Sequence, residues 1–205
     1  MKPPISGGTS PLSLAEKERR SRLIALAQAS PWLPSALRAV RNLGLASWCI
    51  GAGALRNLVW DALHDHASPT PLKDVDVAYF DPTDLTDARE RDLQGRLEAS
   101  LPGLPWEVTN QAAVHLWYER YFGNPVLPLA SLEEGLSTWP EYATCVGVWM
   151  RADGGLEVIA PHGLEDLFAL TVRRNPVRVS PETYRQRIAE KDYRAKWPRL
   201  TIVPG

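Results

Sequence analysis

Leu45-Ala46-Ser47-Trp48-Cys49-Ile50-Gly51-Ala52-Gly53-Ala54-Leu55-Arg56-Asn57-Leu58-Val59-Trp60 changes its hydrophobic period in mid-course. Leu45 to Ile50 is a short apolar run of strand type. Beyond the two glycines, Leu55, Leu58, Val59, Ala62 and Leu63 recur at helical intervals. The segment therefore reads as strand, glycine turn, helix. Two glycines let a backbone approach a ligand closely and aim the free amides of a helix start at an anion. They serve equally where a strand and a helix need only pack tightly, and this segment alone leaves both uses open. A dinucleotide loop needs G-x-G-x-x-G, whereas Arg56 stands at the third glycine position, and no Gly-Lys-Ser/Thr follows to make a Walker A loop.

Downstream, Lys73-Asp74-Val75-Asp76-Val77-Ala78-Tyr79-Phe80 alternates as a strand does. Asp74 and Asp76 then share one face, and Val75, Val77 and Tyr79 anchor the other. Carboxylates so close repel each other unless a cation lies between them. The alternative is a solvent-facing edge strand with two acids near its start. Trp106-Glu107-Val108-Thr109-Asn110 is a third strand candidate carrying one more acid between apolar neighbours, and Leu156-Glu157-Val158 repeats that local pattern.

The remaining chain fills in around these segments. Residues 1–12, rich in Pro, Gly, Ser and Thr, have little to bury and are expected to be a flexible tail. Ser13-Leu14-Ala15-Glu16 has capping-box spacing and predicts a helix to about Ala29, with a second helix from Ser35 closed by Gly44. Further helices are expected over 84–100, 112–122 and 163–172, and a basic one over 181–196. Strands are expected over 144–150 and 156–160, joined at Asp153-Gly154-Gly155.

With 205 residues, 44% of them hydrophobic and 23% charged, the chain can bury one substantial core. Its net charge of -1 argues against a whole-chain nucleic-acid or membrane-surface binder, although residues 171–205 carry +6 and the rest -7. Cys49 and Cys145 both sit in apolar runs, which suits two reduced core thiols and a cytoplasmic location rather than a disulfide or a metal knuckle. No apolar run reaches the length of a membrane span, so no membrane partner is expected. Neither a serine-hydrolase elbow nor a metal-binding Cys/His set is present.

GAGALRNLVWDAL (51–63) followed by KDVDVAYF (73–80) resembles the Gly-Gly-x-Val-Arg-Asp helix and Asp-x-Asp strand of CCA-adding and poly(A) polymerase head domains, in the polymerase-beta-type nucleotidyltransferase superfamily. Ala52 replaces one glycine of that pattern and Asn57 its aspartate, which loosens the tie to tRNA end processing. Taken with WEVTNQAAVH, WPEYATCVGV, IAPHGLEDLFALTVRRNP and YRQRIAEKDYRAKWPRL, the set is similar to a bacterial family of uncharacterised nucleotidyltransferase-like proteins over about residues 20–203.

The resemblance implies an α+β fold: a mixed β-sheet flanked by helices over residues 13–140, with a small C-terminal α/β extension over 141–205 whose strands and basic helix pack on that core. It makes Gly51 and Gly53 a phosphate turn, and it makes Asp74, Asp76 and Glu107 the catalytic carboxylates and ligands for Mg²⁺ or Mn²⁺; Arg56, on the helix that the turn opens, is a nucleotide-binding candidate whose planar fork could pair with triphosphate oxygens. Two such ions would clamp a nucleoside triphosphate while its NMP group moves to an acceptor that the sequence does not identify. A catalytically inactive nucleotide-binding or protein-interaction module on the same fold is the alternative. Arg56 could instead bridge to Asp76 or Asp81, and Glu157 rivals Glu107, which is preferred because it lies within the α/β portion. Asn110, Gln111 and His115 follow the third strand and are candidates to line the pocket. The basic C-terminal helix could embrace phosphates or an RNA acceptor, but a solvated face balancing the acidic body is the favoured use, so a nucleic-acid partner is possible without being favoured.

Overall fold

A computed structural model describes residues 12–205. The tail expected at 1–12 falls, apart from Leu12, outside them. In chain order the elements are α1 (Leu14–Ala29), α2 (Leu33–Arg41), β1 (Trp48–Gly51), α3 (Ala52–Leu63), β2 (Val75–Tyr79), α4 (Asp87–Ser100), β3 (Trp106–Asn110), α5 (Val114–Phe122) and α6 (Leu132–Ser137). Then follow β4 (Gly147–Met150), β5 (Leu156–Ile159), α7 (Glu165–Phe168), β6 (Thr171–Val172), α8 (Pro181–Lys191), α9 (Tyr193–Lys196) and β7 (Thr201–Ile202).

The main sheet has the strand order β3-β2-β1-β4-β5. Strands β2 and β3 are parallel, with α4 as the crossover that parallel neighbours require, and the other pairs are antiparallel. Strand alternation sorts side chains between two cores. Trp48, Ile50, Val75, Val77, Trp106, Val108 and Val148 face the helical layer, where they meet Leu23, Leu37, Leu55, Leu93 and Leu97. Cys49 and Ala78 point the other way into a small cluster with Leu132 and Leu136 of α6. That second cover is partial. Toward β2 and β3 the sheet face is open, and the acids lie there.

Both cysteines are buried free thiols. The Ser13 hydroxyl caps α1 by accepting from the Glu16 N–H at 3.1 Å. Glu16 does not return the bond; its carboxylate takes Arg20 and the Leu164 N–H, tying α1 to the chain before α7. Strands β4 and β5, expected in an extension packed on the core, are built into its sheet, since β4 pairs directly with β1. The helix expected over 163–172 shortens to α7, because β-branched Thr171 and Val172 pair with Thr201 and Ile202 instead. The basic helix expected to run unbroken over 181–196 breaks at Asp192, whose φ of 44° is left-handed, and the turn carries Tyr193 and Trp197 into the core against Trp60. Among the described residues no helix is long and apolar enough to cross a membrane.

Candidate active site

The parallel register of β2 and β3 sets Asp76 beside Glu107. Partners in a ladder point to the same face, so both carboxylates leave the sheet on its open side while Val75, Val77, Trp106 and Val108 anchor the opposite one. Asp74 lies two residues before Asp76, just ahead of β2. The glycine turn closes the group from β1: a Cβ built on Gly53 would stand 3.6 Å from an Asp74 carboxylate oxygen and 3.6 Å from Arg56 Nη2. Three separate segments thus meet at one end of the sheet.

The glycines of the turn have different duties. A Cβ on Gly51 would stand 2.6 Å from the Val146 carbonyl and 2.9 Å from the Trp139 ring, so this residue allows close packing between β1 and its neighbours. The left-handed residue of the turn is Ala52, with a φ of 51°, and its N–H donates to the Val146 carbonyl at 3.1 Å.

Asp76 is half-buried, and its pKa is pushed up from 3.8 to about 7. Desolvation is the largest cause, followed by the negative charges of Asp74 and Glu107; a hydrogen bond from the Gly53 backbone and the charge of Lys191 pull the other way. Carboxylate oxygens without nitrogen or sulfur make a donor set suited to a hard divalent cation. Among the described residues, no three His, Cys, Asp or Glu side chains already converge into a metal-holding group.

Asp76, Glu107 and Thr109 form the floor of a cleft of about 360 Å³. One wall is α5, through Val114, Trp117, Tyr118 and Phe122; the other combines Trp139 and Pro140 with Thr183 and Arg187 of α8. Thr183, Arg187 and Lys191 are four residues apart and share one face of α8. The basic helix therefore gives the cleft one face, beyond the solvated role favoured for it. Arg187 is held by buried Glu141, with Nε–Oε1 at 3.0 Å and Nη2–Oε2 at 3.3 Å.

The other candidates separate. Gln111 lines the cleft. Asn110 is structural, accepting the N–H groups of Asp81 and Ala112 and donating to the Asp81 and Asp84 carbonyls. His115 is half-buried and absent from the cleft lining. Glu157 lies on β5, at the sheet edge opposite β3, ion-paired with Arg151. Arg56 pairs with neither Asp76 nor Asp81. It sits behind the turn, 5.1 to 5.5 Å from the ring centres of Trp60, Tyr193 and Trp197, donating to Asn57 Oδ1 at 2.7 Å and the Tyr193 hydroxyl at 3.3 Å. Sequence reasoning missed Trp117, Tyr118, Trp139, Glu141, Arg178 and Arg187 as parts of the site. The four-residue spacing of Thr183, Arg187 and Lys191 was a usable signal for α8; the others come from scattered segments that share no pattern.

The sequence pattern of a family described as nucleotidyltransferase matches residues 38–202. An NMR structure described as revealing a CCA-adding enzyme head domain superposes with a TM-score of 0.76 at 27% identity, covering 91% of this chain and 96% of that one. A tRNA-processing enzyme in an apo form aligns at a TM-score of 0.45 and 16% identity, covering 95% of this chain and 45% of that one. No curated protein matches.

Proposed function

Because the chain belongs to the nucleotidyltransferase family, we propose that it transfers an NMP group from a nucleoside triphosphate to a hydroxyl or phosphate acceptor, with Asp74, Asp76 and Glu107 as its catalytic carboxylates. The observation that carries this reading is the register of Asp76 against Glu107, at the floor of a cleft whose walls are aromatic and basic. Asp74, Asp76 and Glu107 would hold Mg²⁺ or Mn²⁺, which when bound screens the triphosphate and lowers the pKa of an attacking hydroxyl. The chain's own groups do the remaining work. The Gly53 turn keeps Asp74 and Asp76 in place, Arg187 and Lys191 face the phosphates, and Trp117 and Trp139 exclude water from the interior of the cleft. Glu107, the most exposed of the three acids, would accept the proton of the incoming hydroxyl at its carboxylate oxygen.

A binding module without catalysis is the second reading, favoured by the absence of a ready-made three-ligand group among the described residues. Melting the protein with ATP, CTP, GTP and UTP, each with and without Mg²⁺, tests nucleotide binding, since a ligand of the native state raises the melting temperature. Transfer of label from an α-³²P nucleotide to an acceptor, lost in Asp76→Asn, separates the two readings. Failure of every Mg-NTP to stabilise the chain removes both.

A further inference from the structure

Arg178 is a cation that lines the cleft. It is half-buried and lines the cleft just before the start of α8. Its guanidinium carbon lies 5.2 Å from the Tyr118 ring centre, and the Tyr118 hydroxyl donates to its carbonyl at 3.0 Å, so ring and backbone together hold it in place. Among the described residues no hydrogen bond or ion pair uses its side-chain N–H groups. Glu134 is the acid in its field, but that carboxylate takes the Ala130 N–H at 2.6 Å. A guanidinium has five donors and no acceptor, and none of the Arg178 nitrogens is sealed from solvent, so its N–H groups are open to a ligand that enters the cleft.

The position says which part of a ligand this is. Lys191, at the C-terminal end of α8, lies in the field of Asp76, whereas Arg178 precedes the N-terminal end. Eleven residues at 1.5 Å each put about 16 Å of helix between the two ends. With phosphates at the carboxylates, the base of the nucleotide extends toward Arg178 and Tyr118. Aromatic stacking accepts every base alike, so discrimination falls to the guanidinium. Its paired donors match two adjacent acceptors, which guanine offers through O6 and N7 and cytosine through O2 and N3. Adenine sets its amino donor beside N7, and uracil separates its carbonyls by N3–H.

We propose, resting on the nucleotidyltransferase reading above, that Arg178 stacked on Tyr118 selects the nucleobase and favours guanine or cytosine over adenine and uracil. The experiment is calorimetric titration of the full chain with the four Mg-NTPs and with Mg-triphosphate, for wild type, Arg178→Met and Arg178→Lys. Wild type is expected to bind GTP or CTP about tenfold or more tightly than ATP and UTP, the discrimination one bidentate contact supplies, and the GTP and CTP arms tell the two bases apart. Both variants should lose that preference while ATP affinity changes little. Arg178→Lys keeps the charge without the fork, and it carries the test should Arg178→Met fail to fold. Equal affinities in wild type, a preference for ATP or UTP, or a variant that weakens all four nucleotides and triphosphate alike would overturn base selection while leaving nucleotide binding intact. If no Mg-NTP binds wild type, the nucleotidyltransferase reading fails and this one with it.

Discussion

Asp76 shows how a single side chain in this protein opposes the fold that positions it. Its folded pKa of about 7 lies above the ordinary 3.8, so the native state holds the proton more tightly than the unfolded chain does. The sign follows: stability falls as pH rises from about 4 to about 7 and stays reduced above that. Asp76→Asn cannot ionise. Its melting temperature without metal should exceed that of wild type at pH 8, with the difference shrinking toward pH 5, while stabilisation by Mg-NTP disappears and transfer falls at least about 10²-fold. A variant destabilised equally at both pH values, yet still responding to Mg-NTP, would mark Asp76 as structural. Asp76 was legible because alternation puts it on the face opposite Val75 and Val77, whereas Asp74 lies just ahead of β2, where alternation does not fix its direction; the elevated pKa was not legible, because it depends on burial. The glycine turn was legible as a turn but not residue by residue. Ala52 occupies the left-handed region at a cost of about 1 kcal/mol, so Ala52→Gly should raise the unfolding free energy by up to that amount in urea melts. Gly51→Ala should lower it by about 2 kcal/mol, since its methyl would meet the Val146 carbonyl.

Elements were readable in proportion to their length and period. Helices α1 and α3, with β2 and β3, lie close to where spacing puts them, and β3 occupies the residues expected of it. Short elements escaped: α6 has six residues, α9 four, and β6 and β7 two each, too few for a period to emerge, and tertiary contacts fix them. Helix α8 shows what pairing does beyond period. Arg187 anchors it through Glu141, whose side chain is only 2% exposed, and the Thr144 hydroxyl also donates to that carboxylate, at 3.4 Å. Arg187→Met therefore leaves a buried charge without its cation and should cost about 3 kcal/mol by urea unfolding. Adding Glu141→Gln to that variant should recover part of the loss. A single-variant cost under about 1 kcal/mol would mean the pair behaves as an exposed one and does not hold α8 against the cleft.

At the scale of the molecule, the boundary expected near residue 140 tests how sequence segments relate to folded units. The resemblance indicated the right architecture, but a linear reading assigned β4 and β5 to an appendage, because strand order in a sheet is not written in chain order. Here the central strand β1 has β2 on one side and β4, nearly 100 residues away in sequence, on the other. Removing residues 141–205 would expose one edge of β1 and delete Val146 and Val148 from the main core. It would also strip α3 of Trp197, whose indole N–H donates to Asp61 at 2.8 Å and whose ring packs 5.2 Å from that of Trp60. The fragment 13–140 should accordingly remain unfolded or aggregate, and the full chain should melt in one transition with coincident near- and far-ultraviolet circular dichroism. A soluble fragment with a dispersed amide spectrum, or a full chain melting in two steps, would show that 13–140 is a folding unit and that the C-terminal strands add to a sheet already stable. The cleft gives the prediction a functional side. Its floor comes from residues 76–109 and one wall from 139–187, so the fragment should also fail to bind any Mg-NTP at concentrations that saturate the whole protein.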